Sequence, residues 1–488
     1  MAKTILALDQ GTTSTRAILF DLDGRPLAQA GRPLKQHYPD DGWVEHDAEE
    51  IFAASVEVMR EVLAGADGEV AAIGITNQRE TVVIWDRATG APIHKAIVWQ
   101  DRRTADVCDA LRRRGVEARV TAITGLLLDP YFSGTKIAWL LDNVPGARAR
   151  AEKGELLAGT MDAWVIWKLT GGRVHATDAT NASRTLLFDL RRQAWSDEMA
   201  ELLDVPLALM PQVKDCADDY GETDPAILGQ AIPIRGVAGD QQAALMGQGC
   251  VAPGQMKATY GTGCFLLLNT GETAPASRAR LLTTVAARVG GKPTYALEGA
   301  IFIAGAAIQW LNEGLAVEGG PAAAGELAQK ARAGHGVVLV PAFTGLGAPW
   351  WDADARGAIF GLTRDAGLPE ICQAAFDASA LQTRDLLEAM RADAPGAFKA
   401  PVLRIDGGMA RSPWFAQRLA DLNGVSVHRA EFQEMTALGA ALFAGLGAGL
   451  YASLEDAASH RPDAEEVEVA MPPAPREAAY ARWLDAVA

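Results

Sequence analysis

The sequence predicts an α/β protein of two related halves, with a ligand site in the cleft between them. Three observations carry this. The chain is 488 residues long, more than one ordinary hydrophobic core accommodates. Residues 5–20 read as two apolar strands, Ile5–Leu8 and Ala17–Phe20, joined by a turn of Gly11 and hydroxyl residues. The same pattern returns near Gln255, as Met256–Tyr260, the turn Gly261-Thr262-Gly263, and Cys264–Asn269. A duplicated layout of this kind places a ligand between the halves and suits closure around it.

The first hairpin is the most informative segment. A turn of Gly, Thr and Ser offers backbone N–H groups and small donors without bulk, which suits a polyphosphate held without a helix N-terminus. Asp9 stands at its mouth, where a carboxylate can hold a hydrated divalent cation against phosphates. A solvated hairpin would share the outline, but one acid and four hydroxyl residues fall within positions 9–15.

Val70–Thr76, Thr81–Asp86 and Ala96–Trp99 read as further strands of the first half. Asn77-Gln78-Arg79-Glu80 lies between the first two of these. It fits a surface ion pair, and equally a donor fork beside an acceptor that grips a small polyol. Trp99, Tyr131 and Phe265 read as core aromatics by default. Asp240 ends Gly236-Val237-Ala238-Gly239 and precedes a predicted helix, so an N-cap role is expected. A strand end is also where open α/β sheets place ligands, and a carboxylate there can accept a hydroxyl proton during phosphoryl transfer.

In the second half, apolar spacing predicts a helix over residues 369–392. Asp406-Gly407-Gly408 follows the strand 401–405; its glycines either turn the chain or let backbone lie flat against a nucleoside. Ser412 reads as an N-cap and Pro413 as the first helical residue. Gly445-Leu446-Gly447-Ala448-Gly449 reads as a helix stop. Pro472–Pro475 reads as a surface turn before a short last helix.

Composition narrows the function classes. Apolar residues make up 49% and charged residues 22%, as in globular proteins. A net charge of −16 argues against nucleic acid or an anionic membrane as partner. Cysteines 108, 216, 250, 264 and 372 form no metal-ligand spacing and read as reduced thiols. With no apolar run near the roughly 20 residues of a membrane helix and no signal peptide expected, the predicted compartment is the cytoplasm. There is no P-loop motif, and no pattern for zinc, haem or a nucleophilic triad.

With these residues laid out, the chain resembles the FGGY carbohydrate kinase family, from about Lys3 to about Gly449. Residues 131–139, Tyr-Phe-Ser-Gly-Thr-Lys-Ile-Ala-Trp, are similar to the first family signature. Gly357-Ala358-Ile359-Phe360-Gly361-Leu362, continuing through Glu370 to Asp377, is similar to the second.

The resemblance implies two ribonuclease-H-like domains of the actin and hexokinase type, 1–248 and 249–488, with the site in the cleft between them. It implies phosphorylation of glycerol by ATP, giving ADP and sn-glycerol 3-phosphate. Thr12, Thr13, Ser14 and Arg16 would face the ATP phosphates, with Thr262 opposite. Gly305, Gln309, Gly408 and Ser412 would contact the nucleotide. Arg79, Glu80, Tyr131, Asp240 and Gln241 would hold the glycerol hydroxyls, and Trp99 and Phe265 would wall its carbons. Asp240 would be the base, and Asp9 with Asp240 would position Mg²⁺ through water. Self-association as a dimer or tetramer is implied as well.

Three departures stand out. Ser412 occupies a position where the family often has Asn, so the helix cap is kept but the reach to adenine is shorter. Gly229-Gln230-Ala231 lacks the arginine of the loop that binds fructose bisphosphate in some members. No histidine occurs between His175 and His335, so neither that control nor histidine phosphorylation is expected. The alternative substrates are dihydroxyacetone, erythritol or a pentulose; the alternative class is an actin- or chaperone-like ATPase.

Overall fold

Ile5, Leu6, Ala7 and Leu8 run as an unbroken apolar stretch because their strand is covered on both faces, leaving each at most 1% exposed. The structure, a computed structural model, describes residues 3–352, 354–398 and 401–488. Its first sheet contains β1 (Lys3–Gln10), β2 (Ser14–Phe20), β3 (Pro26–Pro33), β4 (Glu69–Asn77) and β5 (Ile234–Gly239), in the order β5-β4-β1-β2-β3. β1, β2 and β3 form antiparallel hairpins, and β4 and β5 run parallel to β1. Helix α1 (Asp240–Gly247) follows directly.

The second sheet contains β6 (Met256–Tyr260), β7 (Cys264–Gly271), β8 (Leu282–Val289), β9 (Lys292–Ile301), β10 (Val402–Asp406) and β11 (Ser426–Ala430). After helix α2 (Met435–Gly447), β12 (Ala464–Val467) completes it. The order is β8-β9-β7-β6-β10-β11-β12, so β9-β7-β6-β10-β11 repeats the plan β3-β2-β1-β4-β5, with one strand added at each edge. β6 pairs antiparallel with β7 and parallel with β10, as β1 does with β2 and β4. The echo between the two hairpins is therefore a repeat of whole sheets.

The halves interlock through α2. Although it follows β11, α2 packs on the first sheet, where Ala437, Leu438, Ala441 and Ala444 share a core with Ile5, Ala7, Ala72 and Ala238. α1 crosses α2 at backbone distance, and a Cβ added at Gly439 would stand 1.7 Å from the Ala243 carbonyl oxygen. No side chain fits there, so the Gly at 439 is what lets the helices touch.

Several local expectations shift. Val82–Asp86 and the short Ala96–Ile97 strand leave the main sheet and join Glu45–His46 and Leu156–Thr160 in a separate four-stranded sheet. The prolines at 472–475 open the 15-residue helix Pro473–Val487 instead of forming a turn before it. Proline's fixed φ suits a first helical turn, where its missing N–H costs nothing. That helix is anchored by buried Trp483, whose Nε1 donates to Asp385 Oδ2 at 2.8 Å. The 369–392 helix is observed as Leu368–Asp393, and α2 stops at Gly447 as its glycines suggest. All five cysteines are buried and free.

Candidate active site

The two hairpin turns have their backbones fixed by neighbouring segments. In the first, Gly11 N–H donates to Ser14 O at 3.0 Å, and Leu34 N–H to Thr13 O at 2.9 Å. Gln78 Nε2 donates to Gly11 O at 3.1 Å. Trp99 Nε1 donates to Thr12 Oγ1 at 2.8 Å. Thr12 and Ser14 are half-buried, while Thr13 and Arg16 are exposed. Arg16 lies opposite Asp9 in the hairpin, and its Nη1 meets Glu434 Oε2 at 2.5 Å, just ahead of α2.

The second turn is met by two other segments. Thr262 O accepts from the N–H groups of Ala304 (2.9 Å) and Ala306 (3.0 Å), and Gly305 N–H donates to Gly261 O at 3.0 Å. The Asp406-Gly407-Gly408 segment follows β10, and Gly408 has open space where a Cβ would stand. Thr262, Gly305 and Gly408 thus gather at one end of the second sheet.

Ser412 caps the helix Pro413–Asn423, accepting from Phe415 N–H at 3.2 Å. Replacing Ser412 by Ala is expected to cost about 1 kcal/mol through loss of this cap, read from the shift of a denaturation midpoint. Gln309 is exposed, and its amide donates to Glu313 Oε1 on the same helix at 2.7 Å, so the structure does not bring its side chain to the Thr262 turn.

On the opposite side the surface-pair reading of Asn77–Glu80 fails, since these four residues are 0–2% exposed. Asn77 pairs with Asn181 and Gln78 with Gln10 and Thr81, while Arg79 and Glu80 are buried within a ring of charges. Arg79 Nη1 and Nη2 contact Glu298 Oε2 and Oε1 at 2.6 and 3.0 Å. Arg184 reaches the same Glu298 Oε1 at 2.9 Å and Glu80 Oε1 at 2.7 Å. Two arginines therefore balance two glutamates in the interior, which is the condition for burying any of them. Burial pushes the Glu298 carboxyl up but Arg184 and Arg79 outweigh it, leaving its pKa at about 2.

Above the ring stand the aromatics. Trp99 meets Tyr131 edge-on at 5.6 Å and Phe265 at 6.2 Å between ring centroids. Tyr131 OH accepts from Arg79 Nη2 at 3.1 Å. All three rings are half-buried, and Tyr131 and Phe265 also pack against core residues on their inner sides.

Asp240 does not cap α1. It is the helix's first residue after the Gly239 N-cap, and its Oδ1 accepts from Gln241 N–H at 2.7 Å. The same oxygen lies 3.1 Å from Arg79 Nε, and the side chain is 32% exposed. Burial raises its pKa, Arg79 opposes that rise, and Glu80 adds to it. Asp9 is raised to about 7 by burial, against Arg16 and with contributions from Glu434 and Asp240. Gln10, Asn77 and Gly239 stand in register across β1, β4 and β5. Asp9 near the end of β1 and Asp240 just after β5 are thus separated by the intervening β4, two strand spacings or about 10 Å across the sheet. No group of three or more His, Cys, Asp or Glu able to hold a metal ion occurs among the described residues. Two carboxylates raised by burial and near enough to interact nevertheless suit a Mg²⁺ that keeps most of its water and takes its other ligands from phosphates.

Five residues of the site escape sequence reasoning: Arg184, Gln242, Lys257, Glu298 and Glu434. Gln242 Oε1 accepts from Arg79 Nη1 at 3.4 Å. Lys257 Nζ donates to Gln241 Oε1 and, at 3.0 Å, to Thr259 Oγ1. Lys257 and Glu298 each left one visible sign, a single charge inside an otherwise apolar strand.

The chain is similar to known proteins over its whole length. The model of the N-terminal domain of the FGGY family of carbohydrate kinases matches residues 4–247, and that of the C-terminal domain matches 256–448. The chain is 56% identical over 490 residues to a glycerol kinase of Ectopseudomonas mendocina, covering 100% of this chain and 99% of that protein. It is 57% identical over 491 residues to one of Methylobacterium nodulans, covering 100% and 98%. The crystal structure of Plasmodium falciparum glycerol kinase with ADP superposes with a TM-score of 0.94 at 35% identity, covering 100% of this chain and 98% of that one.

Proposed function

The chain belongs to the FGGY family of carbohydrate kinases, and from that membership we propose that it phosphorylates glycerol with ATP, giving ADP and sn-glycerol 3-phosphate. The observation that carries the choice of acceptor is the Arg79–Glu298–Arg184–Glu80 ring beneath Asp240, walled by Trp99, Tyr131 and Phe265. A charged floor with one accessible carboxylate and apolar walls suits a three-carbon polyol.

Glycerol's hydroxyls are held by Arg79, Glu80, Tyr131, Asp240 and Gln241, and its carbons lie against Trp99 and Phe265. Asp240 accepts the proton of the attacking hydroxyl as the bond to the γ-phosphorus forms and the bond to the ADP oxygen breaks. Thr12, Thr13, Ser14 and Thr262 donate to the phosphate oxygens from the two turns. Arg16 stands beside them, already oriented by Glu434. Gly305, Gln309, Gly408 and Ser412 contact the nucleoside, Gln309 by leaving its partner Glu313. Asp9 and Asp240 would hold Mg²⁺ through water, which would neutralise phosphate charge when bound. Trp99 serves both substrates, walling the polyol while it clamps Thr12.

The domain division is placed at 248/249. No helix among the described residues is long and apolar enough to cross a membrane. A cytoplasmic, self-associating enzyme that avoids nucleic acid fits the acidic surface charge. Without the arginine at 229–231, millimolar fructose bisphosphate is expected to leave the rate unchanged.

The test is a coupled ADP-release assay with glycerol, dihydroxyacetone, erythritol and xylulose. Glycerol is expected to give the highest kcat/KM; preference for another acceptor, or ATP hydrolysis with none, would overturn the reading.

A further inference from the structure

Lys257 lies on β6 with 0% of its surface exposed. Along this strand Met256 and Ala258 join the core of the second half, while Lys257 and Thr259 point the other way, as alternation requires. On that other side is α1, and Lys257 Nζ donates to Gln241 Oε1 there. The charged groups facing the ammonium are Asp406 on β10, Asp240 on α1, Arg79 after β4 and Glu298 on β9.

An amide has one accepting end and one donating end, and an ammonium can only donate. Lys257 therefore permits one of the two orientations of the Gln241 amide, with Oε1 on the ammonium and the NH₂ at the other end. No hydrogen-bonded partner for that Nε2 is found among the described residues. The site then offers neighbouring groups of opposite kind: a carboxylate that accepts and an amide that donates.

We propose that Lys257 is a positioning residue of the polyol pocket, whose ammonium holds the Gln241 carbonyl oxygen so that the Gln241 NH₂ faces a substrate hydroxyl beside the one that Asp240 serves. This rests on the polyol-kinase reading and adds to it the source of hydroxyl recognition. A site that commits an amide donor discriminates against an acceptor lacking the matching hydroxyl, because the donor is then left unpaired. Since Lys257 comes from the second half and Gln241 from the first, the pocket takes its donor pattern only when the halves are in register.

The experiment compares wild type, K257M, K257R, Q241L and K257M/Q241L with glycerol, 1,2-propanediol and 1,3-propanediol. K257M is expected to raise the KM for glycerol roughly tenfold or more. It is expected to shrink the preference for glycerol over at least one deoxy analogue, with the KM for ATP near wild type. K257R, which keeps a donor, should recover part of the preference. The double variant should be no worse than the poorer single one, since both act through one hydrogen bond. Q241E keeps a partner for Lys257 and covers the case in which K257M does not fold; it removes the donor and should show the same glycerol defect. An unchanged glycerol KM in K257M or Q241E, a loss of thermal stability alone, or additive losses in the double variant would each overturn the role of Lys257. Absence of glycerol turnover in the wild type would instead overturn the proposed function.

Discussion

Asp240→Asn is expected to lower kcat by about 10²–10⁴-fold, the usual worth of a positioned general base, with the affinity for ATP little changed. Asn preserves the shape of the side chain and keeps an oxygen in place of Asp240 Oδ1, which lies 3.1 Å from Arg79 Nε. What it removes is the lone pair that takes the hydroxyl proton. The two turns that face the phosphates are held by Trp99, Gln78 and the 304–306 segment, none of which depends on Asp240. Steady-state rates with glycerol and calorimetric titration with ATP separate the two effects. A variant with near-normal kcat would remove Asp240 from the chemistry, whereas equal losses in rate and ATP affinity would make it a ligand-binding group first.

Legibility in the sequence followed the range over which each feature is determined. The turns at 11–14 and 261–263 were readable because Gly, Thr and Ser specify a turn from within a few residues. Ser412 and Pro413 were readable for the same reason, since capping is local. The charged ring was not, because Arg79, Arg184 and Glu298 are brought together across more than a hundred residues of chain. Adjacent Arg79 and Glu80 therefore resembled an exposed pair, although Glu80 takes Arg184 as its closer partner at 2.7 Å. Asp240 shows the opposite case. Its placement at a strand end was right, but the N-cap expectation failed because Gly239 already turns the chain and frees the carboxylate for Arg79. The single acid in Tyr295-Ala296-Leu297-Glu298-Gly299-Ala300-Ile301 was a sign in sequence that the second half contributes a charge to the polyol floor.

That contribution gives the second large effect. Glu298→Gln is expected to destabilise the fold by about 3–5 kcal/mol, the cost of breaking a buried ion pair from one side, and to raise the KM for glycerol well above that for ATP. Neutralising Glu298 leaves Arg79 and Arg184, at 2% and 0% exposure, with Glu80 as the only remaining buried counter-charge in the ring. Arg79 would then be drawn toward Glu80 and Asp240, which lie 3.6 and 3.1 Å from its Nε, and away from Tyr131. The pH dependence carries a definite sign. Because the folded-state pKa of Glu298 is depressed to about 2 from 4.5, its contribution is complete above pH 4.5 and is lost as pH falls towards 2. Wild type should therefore lose stability across that window more steeply than Glu298→Gln, measured as the denaturant midpoint against pH. Parallel slopes for the two proteins, together with an unchanged KM for glycerol, would show that the ring neither stabilises the halves nor shapes the pocket.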